Sequence, residues 1–261
     1  MNCKPIKRVP LDNSSIEIRE VVTIPEFDAC IKLQRDVFGL PDLEISPRRH
    51  LIVSLEAGGW TLGAFVGNDL VGFVHHLAAV RGDEIFGYSH MMAVAADFQN
   101  QGIGARLKWA QRKRAMSEGR DFIKWTFEPM RARNAHFNLN RLGVMVRSYA
   151  VNFYGTDYST NPTEKAAGIT GMDSDRLFAS WDLHSPRVEA LAARKSFALG
   201  EPEAVIEIPP DFSALLKLDS DQAKQEQLRV RSEFLQALDA GLICRAFDRD
   251  AERPKYLFYR V

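Results

Sequence analysis

The stretch Gln99-Asn100-Gln101-Gly102-Ile103-Gly104 constrains this chain more than any other. An apolar run from Ile85 to Val94 precedes it and reads as a central strand, while Ile103, Leu107 and Ala110 recur at helical spacing until Gly119 ends the pattern. A strand that turns through glycines straight into a helix leaves backbone N–H groups unsatisfied at the positive end of the helix dipole, and the missing side chains let a ligand come close. The context therefore predicts an anion site. A dinucleotide-binding turn would need a third glycine where Leu107 stands, which disfavours a flavin or nicotinamide oxidoreductase; a nucleotide-hydrolase loop would need Gly-Lys followed by Ser or Thr.

The rest of the chain supplies a scaffold for this turn. Ile16 to Val21 alternates apolar with charged residues as a strand does, and Thr23 with Glu26 makes a capping box for a helix expected to bury Phe27, Cys30, Ile31, Val37 and Phe38. Pro47 to Glu56 predicts a second helix ended by Gly58-Gly59, and Trp60 to Val66 with Leu70 to Val80 predicts a hairpin about Gly67-Asn68-Asp69. A strand over Asp121–Phe127, a helix over Arg133–Arg141 and a strand over Val144–Tyr154 follow. Thr156 to Asp175 reads as a long polar loop and Arg176 to Leu183 as a strand. Beyond Pro186 we expect a helix (Val188 to Lys195), a strand (Ala204 to Ile208), a long helix (Gln222 to Ala240, burying Leu228, Phe234, Leu235 and Leu238) and two short strands about the turn Asp248 to Lys255. This is an α/β (α+β) order: a mixed central sheet flanked by helices, with a C-terminal α/β extension. The expected division is a flexible arm at 1–15, a main domain at 16–184 and an extension at 185–261 packed on the core, because so small a unit does not bury its own apolar face.

Lys plus Arg (34) equals Asp plus Glu (34), so no global field draws the protein to nucleic acid or to an anionic membrane. Cys3, Cys30 and Cys244 form no metal-ligand spacing and no even set for disulfides. The N-terminal residues lack the apolar stretch of a signal peptide and no run is long enough to span a bilayer, so a cytoplasmic protein without metal is expected.

The pattern Gln/Arg-x-x-Gly-x-Gly/Ala after a strand, as Gln99 to Gly104 presents it, resembles the acyl-CoA pyrophosphate loop of the GNAT superfamily of acyl-CoA N-acyltransferases. His90-Met91-Met92-Ala93-Val94 looks like that family's fourth strand, and Asn134-Ala135 followed by Leu142-Gly143 is similar to its next helix. Trp125 to Pro129, Asn134 to Asn138 and Phe153-Tyr154-Gly155 resemble a branch of the family with an extended C-terminus. The resemblance implies a GNAT fold for 16–184, acetyl-CoA or another acyl-CoA as co-substrate, and a small-molecule primary amine as acceptor, amino acids included, with acetyl or a larger acyl group such as succinyl transferred. It implies cofactor contacts from Met92, Ala93, Val94, Gln99, Gln101, Gly102, Ile103, Gly104, Ala105 and Asn134. A catalytically idle acyl-CoA sensor is the alternative, and a homodimer is left open.

Many GNAT enzymes carry a tyrosine four residues before the glycine matching Gly143, where it protonates the departing thiolate; here that residue is Leu139. Tyr149, Tyr154 and Tyr158 are nearby substitutes, Tyr154 the first choice. His90 is the candidate general base, with a pKa expected near or above that of free imidazole. His75-His76 point to opposite strand faces, Glu128 reads as a solvated or capping carboxylate, and Arg106, Lys108, Arg112, Lys113 and Arg114 read as a solvated helix face with some near cofactor phosphates.

Overall fold

A computed structural model describes residues 16–40, 42–156 and 172–260. The expected arm at 1–15, most of the loop at 156–175, Cys3 and Tyr158 lie outside the described residues. The chain divides into two compact units: the first takes in the described residues up to Leu77 together with His90–Gln111, the second Ala78–Ser89 together with the chain from Arg112.

In the first unit β1 (Ile16–Glu20) pairs antiparallel with β2 (Trp60–Val66), which pairs antiparallel with β3 (Asp69–Arg81) from Trp60↔His76 to Val66↔Asp69. Gly67 closes that hairpin at φ +59, a conformation that residues with a Cβ adopt only at a cost. Helix α1 (Ile24–Phe38) begins as the capping box predicts. Thr23 Oγ1 accepts the Glu26 N–H at 3.4 Å, and the Glu26 carboxylate takes the N–H groups of Val22 and Thr23 at 2.9 and 3.0 Å. Helix α2 is Arg48–Glu56. The core consists of Val21, Phe27, Cys30, Leu33, Leu51, Phe65, Phe73 and Ala93, the last from β4 (Glu84–Val94), whose C-terminal half belongs here. Leu33 and Gln34 are buried where Ile31, Val37 and Phe38 were expected to be. The helix presents the line 27–30–34 to the sheet, and the other three lie at its flanks, half-buried.

In the second unit the N-terminal half of β4 lies parallel to β5 (Phe122–Phe127), pairing at Gly87↔Ile123 and Tyr88↔Lys124. β5 is antiparallel to β7 (Arg176–Asp182), β7 to β6 (Met145–Ala150), β6 to β9 (Ile243–Asp248), β9 to β10 (Lys255–Tyr259) and β10 to β8 (Ala204–Glu207), which gives a mixed sheet of order β4-β5-β7-β6-β9-β10-β8. Its helices are α4 (Ala132–His136, continued by a π-helical turn Phe137–Arg141), α5 (Pro186–Ala192), α6 (Phe212–Leu218) and α7 (Ser220–Asp239). Helix α3 (Ile103–Ser117) begins in the first unit and ends in the second.

Three details differ from the sequence reading. The strand expected to reach Tyr154 stops at Ala150, because Asn152 at φ +48 turns the chain and Asp175 takes its N–H at 3.0 Å. A separate helix, α6, precedes α7; Asp211 caps the one by accepting the Ala214 N–H at 3.0 Å and Asp219 the other by accepting the Gln222 N–H at 2.9 Å. The buried stripe of α7 is Ala223, Gln227, Val230 and Phe234, and Leu228 and Leu235 lie exposed because each is one helical step off that line.

The expected boundary at 184 falls inside the second unit. Residues beyond it meet the preceding ones through the Val146↔Cys244 strand contact, a Tyr256 hydroxyl donating to the Pro129 carbonyl at 2.7 Å, and Asn140 holding the Phe247 backbone at both N–H and C=O (2.9 and 2.7 Å). Arg231 adds ion pairs to Asp173 and to the buried Asp175 at 2.6 and 2.9 Å.

Candidate active site

β4 ends at Val94 and the chain passes through a 3₁₀ turn, Ala96–Phe98, into the glycine-rich loop. The Gln99 side-chain amide donates to the Val94 carbonyl and that of Gln101 to the Asp97 carbonyl, both at 3.0 Å, so these two glutamines fix the loop's own shape. Asn100 at φ +64 and Gly102 at φ +82 turn the backbone. Buried Ile103 and Leu107 then pin the start of α3. The first backbone bond of the helix is Arg106 N–H to Gly102 C=O at 3.0 Å, so the amides of Ile103, Gly104 and Ala105 come before its ladder. A Cβ built on Gly102 would meet nothing within 4 Å, which makes the surface beside these amides open. Donors on a helix N-terminus facing open space fit a pyrophosphate. The side chains of Ile103 and Ala93 are core, so what those residues offer a ligand is backbone. Met92 is half-buried, and its Cε lies 3.4 Å from where a Gly104 Cβ would stand.

Gly102→Asp is therefore a charge test more than a steric one. The left-handed φ costs about 1 kcal/mol or more for any residue with a side chain, and the carboxylate opposes an anion. Coenzyme A affinity measured by calorimetry should fall at least about tenfold, ~1.4 kcal/mol. Gly102→Asn, neutral and tolerant of positive φ, should lose less.

On the other elements of the first unit three imidazoles gather. The rings of His50 (α2), His75 (β3) and His90 (β4) stand 5.5, 5.6 and 6.0 Å apart, each pair edge to face. Among the described residues no group of three or more His, Cys, Asp or Glu could hold a metal ion. His75 is fully buried, with Nδ1 2.8 Å from Thr61 Oγ1 and Nε2 3.3 Å from Ser54 Oγ. The Ser54 hydroxyl gives its one proton to the Leu51 carbonyl at 2.8 Å, so it accepts from His75 Nε2–H, and Nδ1 accepts from Thr61. Burial, then the neighbouring His90 and His50, push the His75 pKa down to about 3. A depressed histidine is neutral when folded but takes a proton when unfolded. Its contribution is thus whole above pH ~6.5 and drains away as the pH falls towards 3, reaching about 2 kcal/mol of lost stability at pH 5. Urea unfolding at pH 7 and pH 5 should show that difference, and His75→Gln should flatten it.

His90 is exposed, and its Nε2 lies 3.2 Å from Ser46 Oγ. Packing of its ring against protein and the charge of His50 hold its pKa below the ordinary 6.5, which corrects the expectation of a value near or above free imidazole. His76 is buried and stacked on Trp60 at 4.0 Å, with Nδ1 3.2 Å from the Gln111 amide. Gln111 in turn accepts from Lys108 at 3.0 Å. Lys108 is buried, with its pKa pushed well below 10.5 by that burial. Arg112 is buried as well and donates to the Leu183 carbonyl and to Glu189, and Arg106 donates to the Ile16 carbonyl. The solvated basic face expected on α3 is thus largely spent inside the protein.

Residues 27–143 match the model of a family described as the Acetyltransferase (GNAT) family. This segment is a GNAT acetyltransferase domain. Among solved structures the fold resembles a putative acetyltransferase of the GNAT family from Desulfovibrio desulfuricans (14% identity, 64% of this chain and 99% of that one, TM-score 0.50). It also resembles the ribosomal-protein-S18-alanine N-acetyltransferase from Escherichia coli (14% identity, 65% and 95%, TM-score 0.50). An aminoglycoside acetyltransferase from an uncultured soil metagenomic sample aligns at 21% identity over 48% of this chain and 86% of its own, TM-score 0.44. No curated protein sequence matches the chain.

Within the GNAT domain, Leu139 sits fully buried in the π-helical turn after α4, and its carbonyl accepts from Arg187 at 2.8 Å. It offers no proton to a thiolate. Tyr154, in the second unit, is exposed, packs edge-on against Phe153, lies under the Arg176 guanidinium at 5.0 Å and has its hydroxyl 3.4 Å from Thr126 Oγ1. Tyr149 is spent on buried Asp175, to which its hydroxyl donates at 2.5 Å. Asn134 is exposed on α4. Glu128, half-buried, pairs with Arg131 at 2.7 Å and Arg176 at 3.7 Å, a structural carboxylate.

The sequence reading missed Ser46, His50, Tyr88 and Thr126. Tyr88 is half-buried at the last β4–β5 pair, with its pKa raised by burial and by Tyr154 while a bond to Thr126 opposes the rise. Its alternation with His90 along the strand was the one available signal; Ser46, His50 and Thr126 carry none, since only folding brings them to their partners.

Proposed function

We propose that the protein is an N-acyltransferase that moves an acyl group, acetyl or a larger one such as succinyl, from acyl-CoA to the primary amine of a small molecule, amino acids among the candidates. The observation that carries this reading is the loop at 99–105, whose free-standing amides and open surface at Gly102 suit an acyl-CoA pyrophosphate, inside a GNAT acetyltransferase domain. The bound thioester supplies an activated acyl carbon. The chain supplies the rest: the loop holds the phosphates, the backbone of Met92 to Val94 orients the thioester, and His90 takes a proton from the incoming ammonium so that the amine lone pair can attack. A histidine held below pKa 6.5 is already a free base at pH 7, which suits that task. Tyr154 is the proposed donor to the leaving thiolate, by its exposed hydroxyl.

The buried free thiols Cys30 and Cys244 accord with a reducing compartment, and we place the protein in the cytoplasm. Among the described residues no helix is long and apolar enough to cross a membrane. The test is a screen of acetyl-CoA and succinyl-CoA against amines, amino acids and aminoglycosides, followed by thiol release. Turnover with a small amine is the expected result; tight coenzyme A binding with no turnover on any acceptor would favour the idle sensor, and acylation of protein lysines alone would replace the acceptor class.

A further inference from the structure

The Ser46–His90 contact is built from behind. Gln34 on α1 is fully buried, and both ends of its amide are spent on one residue: Oε1 accepts the Ser46 N–H at 2.9 Å and Nε2 donates to the Ser46 carbonyl at 3.2 Å. A buried glutamine satisfied wholly by one residue's backbone fixes that residue as a strand ladder would. Ser46 has no repeating structure of its own, lying between a 3₁₀ turn at Asp42–Glu44 and α2, yet its hydroxyl is held 3.2 Å from His90 Nε2. The other imidazoles near His90 are His50 and His75. His75 has both ring nitrogens engaged by Thr61 and Ser54, and His50 meets His90 edge-on at 5.6 Å.

We propose that Ser46 is the positioning residue for His90: its hydroxyl oxygen accepts Nε2–H, which leaves the Nδ1 lone pair to take the proton of the acceptor amine. This rests on the reading of His90 as the base. A neutral imidazole has one donor and one acceptor nitrogen, and the partner of the first decides which is which. If Ser46 donated to Nε2 instead, the lone pair beside it would be occupied and protonation there would break the contact. With Nε2–H donating, the transfer balances simply: the ammonium N–H bond breaks, an Nδ1–H bond forms, and the positive charge passes to an imidazolium whose Nε2–H still donates to Ser46. That bond is stronger in the charged state than in the neutral one. Ser46 therefore both sets the tautomer and stabilises the protonated base, through its oxygen and without touching substrate.

The experiment has a spectroscopic arm and a kinetic arm. Imidazole nitrogen–proton correlation spectra of the full chain above pH 7, with His90 assigned from the His90→Gln difference among the six histidines, should show Nε2 protonated and Nδ1 bare. Ser46→Ala should shift that ring towards a mixture of tautomers and lower kcat by about tenfold with the KM for acyl-CoA unchanged, and Ser46→Thr should restore both. A wild-type ring protonated at Nδ1, or a Ser46→Ala variant with unaltered spectrum and kcat, overturns the proposal. Turnover lost in His90→Gln but kept in Ser46→Ala overturns the positioning role alone; full turnover in His90→Gln overturns the base reading and the positioning role together. A misfolded Ser46→Ala variant would be recognised by its amide spectrum, and the wild-type tautomer then decides.

Discussion

The His90→Gln variant is expected to bind acyl-CoA as the wild type does and to turn over about 10²-fold more slowly. Glutamine keeps a polar group of similar reach beside Ser46 but accepts no proton at neutral pH, so folding and cofactor binding survive while proton removal fails. The loop that would hold the pyrophosphate takes its shape from Gln99, Gln101 and Gly102, none of which touches the imidazole cluster through a hydrogen bond. The pH profile separates this from a general loss of activity. Because His90 is held below 6.5, wild-type kcat/KM should rise with pH along a limb centred below that value. The variant should lack that limb. Unchanged activity with an unchanged profile would return His90 to a structural histidine.

Truncation after Leu183 should remove more than the extension: the second unit should fail to fold. β6 would lose its partner at Val146↔Cys244, and Asn140, Pro129 and Leu139 would each lose a partner for a backbone-level hydrogen bond supplied by Phe247, Tyr256 or Arg187. Asp175, buried and held by Arg231, would keep its charge without that guanidinium, a change that costs roughly 3–5 kcal/mol in buried pairs. The cluster of Phe234, Phe247, Tyr256 and Phe258, with ring centroids at 4.8 to 5.1 Å, would go as well, each ring contributing about 1.5–3 kcal/mol by burial. A domain is stable by only about 5–15 kcal/mol in all, so these losses exceed it. Expression of 1–183 should yield insoluble or molten protein; a soluble chain with the thermal midpoint of the full protein would show the extension to be an accessory.

Local chemistry made much of this legible. The capping box at Thr23 and Glu26, the hairpin about Gly67 and the strand–glycine–helix turn at 94–103 each rest on residues adjacent in sequence, whose spacing already encodes their hydrogen bonds or backbone sign. The family resemblance came from the same kind of local pattern. Where the reading missed, the deciding contact was distant. Leu228 and Leu235 looked buried until the sheet chose the line through Val230 and Phe234, and Lys108 and Arg112 looked solvated until His76, Gln111 and the Leu183 carbonyl enclosed them.

By itself the sequence determined the strand–glycine–helix turn, most of the order of strands and helices, and the presence of a histidine just ahead of the loop. Only the tertiary structure decided how that histidine is held. Ser46 and His50 reach His90 from a segment more than thirty residues earlier, and Gln34 fixes Ser46 from helix α1. A periodic pattern records which face of an element is buried, but it does not record which polar groups another element brings against that face. A side chain's tautomer and pKa depend on those groups, so they are properties of the fold.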